Sequence, residues 1–323
     1  MTRSISHSEA STLLDCQAKH AFSYTGALTG GDALHPITKH HRLREGAAWG
    51  IAMAHYHAGR TDGADAITAS LRVDEEQMVI PDQHEFAQMN DKLRAILSHY
   101  TETTTPIGID RQEMKLDVPI PNLLGDRFTG YVDGIHTTSD GDWLVEFKLR
   151  GSLSSLEQVA LGRQIRWYAW AWRELTGRSV VGVIVDERKN EAPKPARILA
   201  SGKVSHAKDQ QTTPALYAAA CEATGVAPDL ETLAALGERR WQARHEVFLT
   251  TAEIDEAGVQ LASMGRLVHL MDCGVLFPIR NPSQFRCPSC AFREICADPS
   301  DVELVDAFFV RKPPKKDRLE VAA

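Results

Sequence analysis

The sequence predicts an α/β fold, with a mixed central sheet flanked by helices. Three observations carry this expectation. The stretches MKLDVPI (114–120), RFTGYVDGIHTT (127–138) and DWLVEFKLR (142–150) read as three strands in succession. A long helical segment over 155–176 and a buried apolar run, VVGVIVDER (180–188), come next. Helix-patterned stretches stand before and after this block.

In chain order, residues 8–22 read as a short helix containing Cys16, and the Gly-, Pro- and His-containing 26–41 as a loop. Residues 43–59 are Ala-rich and helical, and 84–100 form a second helix with apolar spacing at Phe86, Leu93, Ile96 and Leu97. Between the last two of the three strands, Ser139-Asp140-Gly141-Asp142 contains the Asp-Gly pair of a tight hairpin. One more strand is expected near 196–204. Residues 213–272 read as mostly helical, broken at Gly225–Pro228 and around Phe248–Thr251, with Thr251 and Glu253 opening a capped helix that runs to Leu270. The polar, Pro-containing tail from about 311 is expected to be disordered. The expected organisation is one domain over 1–310, with a helical insertion at about 205–272, and a tail at 311–323.

The 323 residues are 43% hydrophobic and 24% charged, as in an ordinary globular protein. No apolar run approaches the roughly 18–20 residues needed to span a bilayer. The N-terminal MTRSISHSEASTLLD lacks the apolar centre of a signal peptide. A cytoplasmic location is expected, and in that reducing compartment clustered cysteines serve as metal ligands more often than as disulfides. The net charge of −7, from 36 Lys+Arg against 43 Asp+Glu, weighs against nonspecific coating of duplex nucleic acid. Positive charge still gathers locally, at Lys39, Arg42 and Arg44, at Lys148 and Arg150, at Arg163 and Arg166, and at Arg311, Lys312, Lys315 and Lys316.

Asp133, in GYVDGI, and Glu146 and Lys148, in VEFKL, fall on neighbouring strands joined by a tight turn. Paired strands lie about 4.8 Å apart, so both carboxylates can face one divalent cation. Glu146 and Lys148 are two apart and share a strand face, while Val145 and Phe147 point the other way into the core. Phosphodiester hydrolysis needs these parts: a hard cation held by carboxylates, and a lysine to orient water or steady charge developing on the phosphate. On the helix that follows, Gln164 and Tyr168 are four apart and share a face. An E-x-K pair by itself also suits an incidental surface hairpin, and Tyr168 with Trp167, Trp170 and Trp172 also suits simple packing.

Three cysteines, Cys287, Cys290 and Cys296, cluster in FRCPSCAFREIC, and Cys16 stands alone in LLDCQAKHAF. Four cysteines can hold structural zinc or an iron–sulfur cluster, and spacing does not separate the two. Alternatively Cys16 is an ordinary core cysteine and the other three bind zinc with a histidine. Cys221 and Cys273 read as core or incidental, with Cys273 the nearer rival to Cys16 as fourth ligand.

The order D…E-x-K…Q-x-x-x-Y resembles the PD-(D/E)XK nuclease superfamily, whose fold is restriction-endonuclease-like, and within it the RecB-like branch. The resemblance implies that Asp133 and Glu146 ligate Mg²⁺ or Mn²⁺, that Lys148 is the catalytic lysine, and that Gln164 and Tyr168 contact DNA or brace the site. It also implies an upstream helical histidine as a further ligand. In EGAAWGIAMAHYHAG the first choice is His55, with His57 on a different helical face and Glu45 as a substitute. Val132 stands where the family name has proline. One distant cysteine plus three clustered ones, bracketing the nuclease motif, resembles the iron–sulfur nucleases: the AddB nuclease domain, Cas-associated RecB-like exonucleases and phage relatives. That implies a mainly structural [4Fe–4S] cluster on Cys16, Cys287, Cys290 and Cys296, closing the fold. The resemblance covers Cys16 and roughly residues 45–300. The implied function is a metal-dependent exonuclease on single-stranded DNA, in recombination, repair or phage replication. DNA is the implied partner, and a helicase or a recombination or replication protein is compatible with it. A non-catalytic DNA-binding scaffold and a zinc-stabilised endonuclease remain as alternatives.

Overall fold

A computed structural model describes residues 3–37, 41–76, 83–123 and 125–314 of the protein. Lys39, Lys315 and Lys316 lie outside these residues. The chain opens with a three-residue strand β1 (Ser4–Ser6), followed by α1 (His7–Asp15) and α2 (Gln17–His20). Then come β2 (Ala33–Pro36), α3 (His41–His57), α4 (Gly63–Glu76) and α5 (Gln83–Thr103). The central strands are β3 (Arg111–Pro119), β4 (Arg127–Thr138) and β5 (Gly141–Arg150). After them run α6 (Leu156–Ala160), α7 (Arg163–Thr176), β6 (Val180–Lys189), α8 (Pro214–Ala223), α9 (Leu230–Gly237) and β7 (Gln242–Phe248). The chain closes with α10 (Thr251–Asp272), α11 (Val302–Phe308) and β8 (Phe309–Lys312).

Among the described residues, six strands form the mixed sheet. β5 pairs parallel with β6, and β6 pairs antiparallel with β7 at the far edge. β3 runs antiparallel along one edge of β4 from Arg127 to Ile135. The other edge of β4 is shared. β5 occupies it from Gly134 to Thr138, and β1 occupies it in parallel from Arg127 to Thr129. Residues 130–133 of β4 therefore face a gap between β1 and β5, where the ladder is interrupted.

Each sheet face has its own apolar core. Leu144, Val183 and Val185 pack with Phe128 and Val132 against α1, α7 and α10, through Leu13, Trp170, Leu261 and others. Val145, Phe147 and Ile184 pack against α3, α4 and α5 through Trp49, Ile67 and Leu93. The period-2 alternation along β5 thus divides its side chains between two layers of helix.

Several sequence expectations are corrected. The helix expected over 8–22 breaks at Cys16, whose extended backbone caps α1 and opens α2. The long helix over 155–176 is two helices, interrupted at Leu161-Gly162. The segment 205–272 is not wholly helical: QARHEVF forms β7, whose hydrogen bonds complete the β6 edge. The expected strand near 196–204 is a single bridge, Ile198 to Val204. The loop over 26–41 contains β2, which pairs with β8, so Arg311 and Lys312 end a strand rather than begin a disordered tail. The tail beyond 314 lies outside the described residues. The hairpin turn is centred on Ser139-Asp140, because Thr138 pairs with Gly141. Gly141 (φ 139°) is needed where it is: a Cβ there would lie 2.7 Å from the Ser179 carbonyl oxygen. Among the described residues, no helix is long and apolar enough to cross a membrane.

The segment before β1 meets the end of α10. The buried Arg3 guanidinium donates to Glu9 at 2.7 Å and to Asp272, at the end of α10, at 2.6 Å. His20 Nε2 lies 3.3 Å from the same Glu9 oxygen. Truncating Arg3 would leave Glu9 buried without its cation. Arg3→Ala is expected to lower the unfolding free energy by about 3–5 kcal/mol, read as a shifted urea midpoint. A shift under about 1 kcal/mol would show that Arg3 does not tie α1 to α10.

Candidate active site

The hairpin register decides the geometry. The last β4–β5 pair is Gly134 with Val145, which places Asp133 opposite Glu146 at the point where the strands part. Beyond that point the Phe147 N–H has no β4 carbonyl to meet. It donates instead to the Asp133 carboxylate, N to Oδ2, at 2.7 Å. A side chain thus closes the ladder where the main chain leaves it.

Glu146 and Lys148 project from β5 toward α7, as their spacing predicts. Lys148 Nζ donates to Glu146 Oε2 at 2.7 Å, and Gln164 Nε2, from the first turn of α7, donates to the same oxygen at 2.9 Å. The other oxygen, Glu146 Oε1, is buried with no hydrogen-bond partner, and the residue is only 2% exposed. Burial pushes the Glu146 carboxyl up to about 7, held down in part by Lys148 and raised further by Asp133. Burial also raises Asp133, against Lys148 and the Phe147 N–H, and nearby Glu113 adds to the rise. Lys148 loses hydration on burial, but the two carboxylates outweigh that loss and hold its pKa above the ordinary lysine value.

Tyr168 is buried beneath the site. Its ring packs on Gly130, where a Cβ would come within 3.1 Å of the ring and hydroxyl, so the first glycine of GYVDG makes room for it. Burial and the charge of Glu146 raise its phenol pKa, and Gln164 bonds its hydroxyl. Gln164 thus holds Glu146 directly, and Tyr168 lies behind it against Gly130 and Gln164.

A crevice of about 450 Å³ opens over Asp133, Glu146 and Lys148, walled on the other side by α3. The face that α3 presents there is made of Arg42, Gly46, Gly50 and apolar residues. The upstream ligand expected on this helix is not brought to the crevice. His55 turns away and shares a hydrogen between Nδ1 and Asp62 at 2.8 Å. His57 is buried under Phe147, stacked at 4.6 Å, and its Nδ1 accepts the Ile107 N–H at 2.8 Å. Burial and Arg244 push His57 down to about 4, so it is a neutral packing residue. Glu45 is bound to Lys92 and to Asn190.

Two neighbours of the crevice went unseen in the sequence. Glu113, on β3, borders it. His7, at the start of α1, is pushed down to about 4 by burial, with Lys148 and Arg163 adding to the fall, and sits 5.5 Å from the Trp167 ring. Starting the first strand at 111 rather than 114 would have set Glu113 against Asp133. The neighbourhood of His7 depends on β1, which three residues do not announce.

The cysteine segment docks where Cys16 lies. The Ala18 N–H donates to the Ile279 carbonyl at 3.1 Å, Asn281 Nδ2 donates to the Asp15 carbonyl at 2.9 Å, and Arg286 donates to the same carbonyl at 3.2 Å. Cys16, Cys290 and Cys296 all border one small core containing Phe22, Phe292 and Ile295. The exposed Cys287 Sγ accepts the Ser283 N–H at 3.3 Å. All four are free thiols, a donor set suited to a four-thiolate centre. Cys273 is exposed at the end of α10, and Cys221 is buried in a separate small core. Among the described residues, no three His, Cys, Asp or Glu side chains are gathered as a formed metal centre. The carboxylate site nonetheless suits a divalent cation: an orphaned buried oxygen and two carboxyls with raised pKa values are what a cation would relieve.

The sequence model of the PD-(D/E)XK nuclease superfamily matches residues 4–297. A solved structure from Eubacterium rectale, of a protein named as a candidate exonuclease, is similar at 10% identity and a TM-score of 0.38, covering 87% of this chain and 89% of that one. No curated protein matches the sequence.

The pKa of Glu146 makes a prediction for the metal-free protein. The folded chain holds this proton up to about pH 7, while the unfolded chain releases it near the ordinary value of 4.5. Folded protein therefore binds more protons between these values and loses stability as pH rises through them. Glu146→Gln should match the wild type near pH 4.5 and exceed it by about 3 kcal/mol above pH 7, in urea melts across pH with chelator present. A difference that does not change with pH would rule out the raised pKa.

Proposed function

The chain belongs to the PD-(D/E)XK nuclease superfamily, and from that premise we propose that it is a divalent-metal-dependent DNA exonuclease of the RecB-like branch. Its substrate in this reading is single-stranded DNA, in recombination, repair or phage replication. The observation that carries the reading is the unpartnered Glu146 Oε1, buried beside Asp133 and Lys148 at the floor of an open crevice.

In this reading Asp133 and Glu146 hold Mg²⁺ or Mn²⁺, the cations that nucleases of this superfamily generally use. When bound, the cation supplies Lewis-acid polarisation of the phosphate and a more acidic water. The protein's own groups do the rest. Gln164 and Lys148 fix Glu146 through Oε2 and leave Oε1 free for the cation. Lys148, held charged by its carboxylate neighbours, steadies charge on the phosphate or orients the attacking water. The Phe147 N–H holds the Asp133 carboxylate in place, and Tyr168 packs against Gly130, three residues before Asp133. The Gly46 and Gly50 face of α3 leaves space for a DNA backbone to approach.

We further propose that residues 1–310 act as one domain, with an iron–sulfur cluster on Cys16, Cys287, Cys290 and Cys296 in a structural role. The docking of 279–286 on Asp15–Ala18 and the Arg3–Asp272 ion pair support this reading. So does the N–H donated to Cys287 Sγ, since such bonds steady cluster thiolates.

Two experiments test these readings. End-labelled linear single-stranded DNA should be degraded with Mg²⁺ or Mn²⁺, while closed circles and duplex survive. Lys148→Ala should cost roughly 10²–10³ in rate, and Glu146→Ala should abolish cutting. Cutting of circles would remove the exonuclease assignment, and normal cutting by Glu146→Ala would remove the site. Protein purified without oxygen should contain iron and sulfide, lost in Cys16→Ser and in Cys290→Ser but kept in Cys273→Ser. A colourless protein carrying zinc would overturn the cluster.

A further inference from the structure

We propose that Glu113 is the third carboxylate of the cation site, taking the place of the helical ligand that α3 does not provide. The inference rests on the reading of Asp133 and Glu146 as cation ligands.

Glu113 is the one residue between Arg111 and Pro119 at which the β3–β4 ladder skips a pair. Gln112 pairs with Gly134 and Met114 with Val132, so Glu113 stands opposite Asp133. Directly opposed residues on antiparallel strands are close neighbours, and Glu113 borders the same crevice as Asp133, Glu146 and Lys148. Its backbone is left-handed, with φ at 48°, a conformation that favours glycine and is costly for a residue with a side chain. Apart from Asn122 in the next turn, no other non-glycine among the described residues has a positive φ. Strain of this kind, at the edge of a site, marks a residue kept for what its side chain does.

The side chain has no structural employment to explain that cost. Glu113 is exposed and makes no hydrogen bond or ion pair among the described residues, while its charge is felt by Asp133. In the same crevice, the buried Glu146 Oε1 is also without a partner. Asp133 and Glu146 alone are offset by Lys148, leaving one net negative charge. Glu113 brings a second, which balances a divalent cation. The exposed Glu113 can swing onto a cation that the two fixed carboxylates already hold. The site is thus filled from β3, and the wall opposite is left to Gly46 and Gly50 for substrate.

The test is Mn²⁺ binding to full-length protein without DNA, by titration calorimetry, with thermal melts of the metal-free variants. Glu113→Gln should weaken Mn²⁺ binding by tenfold or more, at least as much as outer partners of a metal site cost, which is roughly 10–100-fold. Metal-free Glu113→Gly should melt no lower than the wild type, because glycine accepts the left-handed backbone, yet should show the same loss of Mn²⁺ affinity. Wild-type affinity in both variants, with affinity lost in Asp133→Asn, would overturn the role of Glu113 and leave the Asp133–Glu146 site standing. A clear drop in the melting temperature of Glu113→Gly would also overturn it, by assigning Glu113 a structural role. Affinity unchanged in Asp133→Asn would sink the underlying site and this inference together.

Discussion

The hydrogen bond from the Phe147 N–H to the Asp133 carboxylate is the constraint on which the site depends. A buried main-chain N–H must find an acceptor. In an uninterrupted hairpin it would find a β4 carbonyl, and β4 and β5 would stay zipped. Here the side chain serves instead, so the strands can part after Gly134 and Val145 without leaving a donor unmet. The gap that results is the crevice. Asp133 cannot turn away from it, because its other face is tied to the backbone of the strand that carries Glu146 and Lys148. A hydrogen bond that belongs to the fold thus sets how Asp133 is presented to Glu146 and Lys148.

The cost of this arrangement is electrostatic. Both carboxyls are pushed up by burial, and Lys148 is drawn up by their charges. The surrounding packing prevents relaxation. From one face, Gln164 holds Glu146, and Gly130 allows the Tyr168 ring to lie against β4 and bond Gln164. From the other face, Phe147 is clamped on His57, which is itself fixed by the Ile107 N–H. A free side chain would turn toward water or take a proton. These side chains can escape only by protonation or by a cation, which is why metal affinity and proton release should be linked.

The parts of the site that were legible in the sequence are those encoded within one hairpin and one helix. Asp133, Glu146 and Lys148 follow from strand periodicity, and Gln164 and Tyr168 from helical spacing, because both periods are local. The two apolar faces of β5 were legible for the same reason. The turn was found but its centre was one residue off, since the Asp-Gly signal says nothing of Ser179, whose carbonyl demands Gly141. The helical ligand misled because a histidine near a glycine fits several helix faces. Only packing shows His57 under Phe147 and His55 turned to Asp62. β1 is too short to read and edge strand β7 has no clean alternation, and both owe their state to partners distant in sequence, while the left-handed Glu113 carries no sequence signal.

β1 connects α1 and the end of α10 to the centre of the sheet. It pairs with Arg127–Thr129 and so supplies the edge of β4 that β5 abandons. Without it, the gap over 130–133 would be an open sheet edge rather than a bounded crevice. β1 is short, and three residues of pairing hold little by themselves. What keeps it in register lies just outside it: Arg3, locked to Glu9 and Asp272, and α1, which continues from Ser6 and ends at Cys16. The segment 279–286 grips the chain on both sides of that cysteine. A centre joining Cys16 to Cys287, Cys290 and Cys296 would therefore bear on the site without touching it. It would hold α1, α1 would hold β1, and β1 would bound the gap in which Asp133 and Glu146 face each other. His7, the first residue of α1, packs on Trp167 and Tyr168 and feels the charges of Lys148 and Arg163, so α1 reaches the neighbourhood of the site.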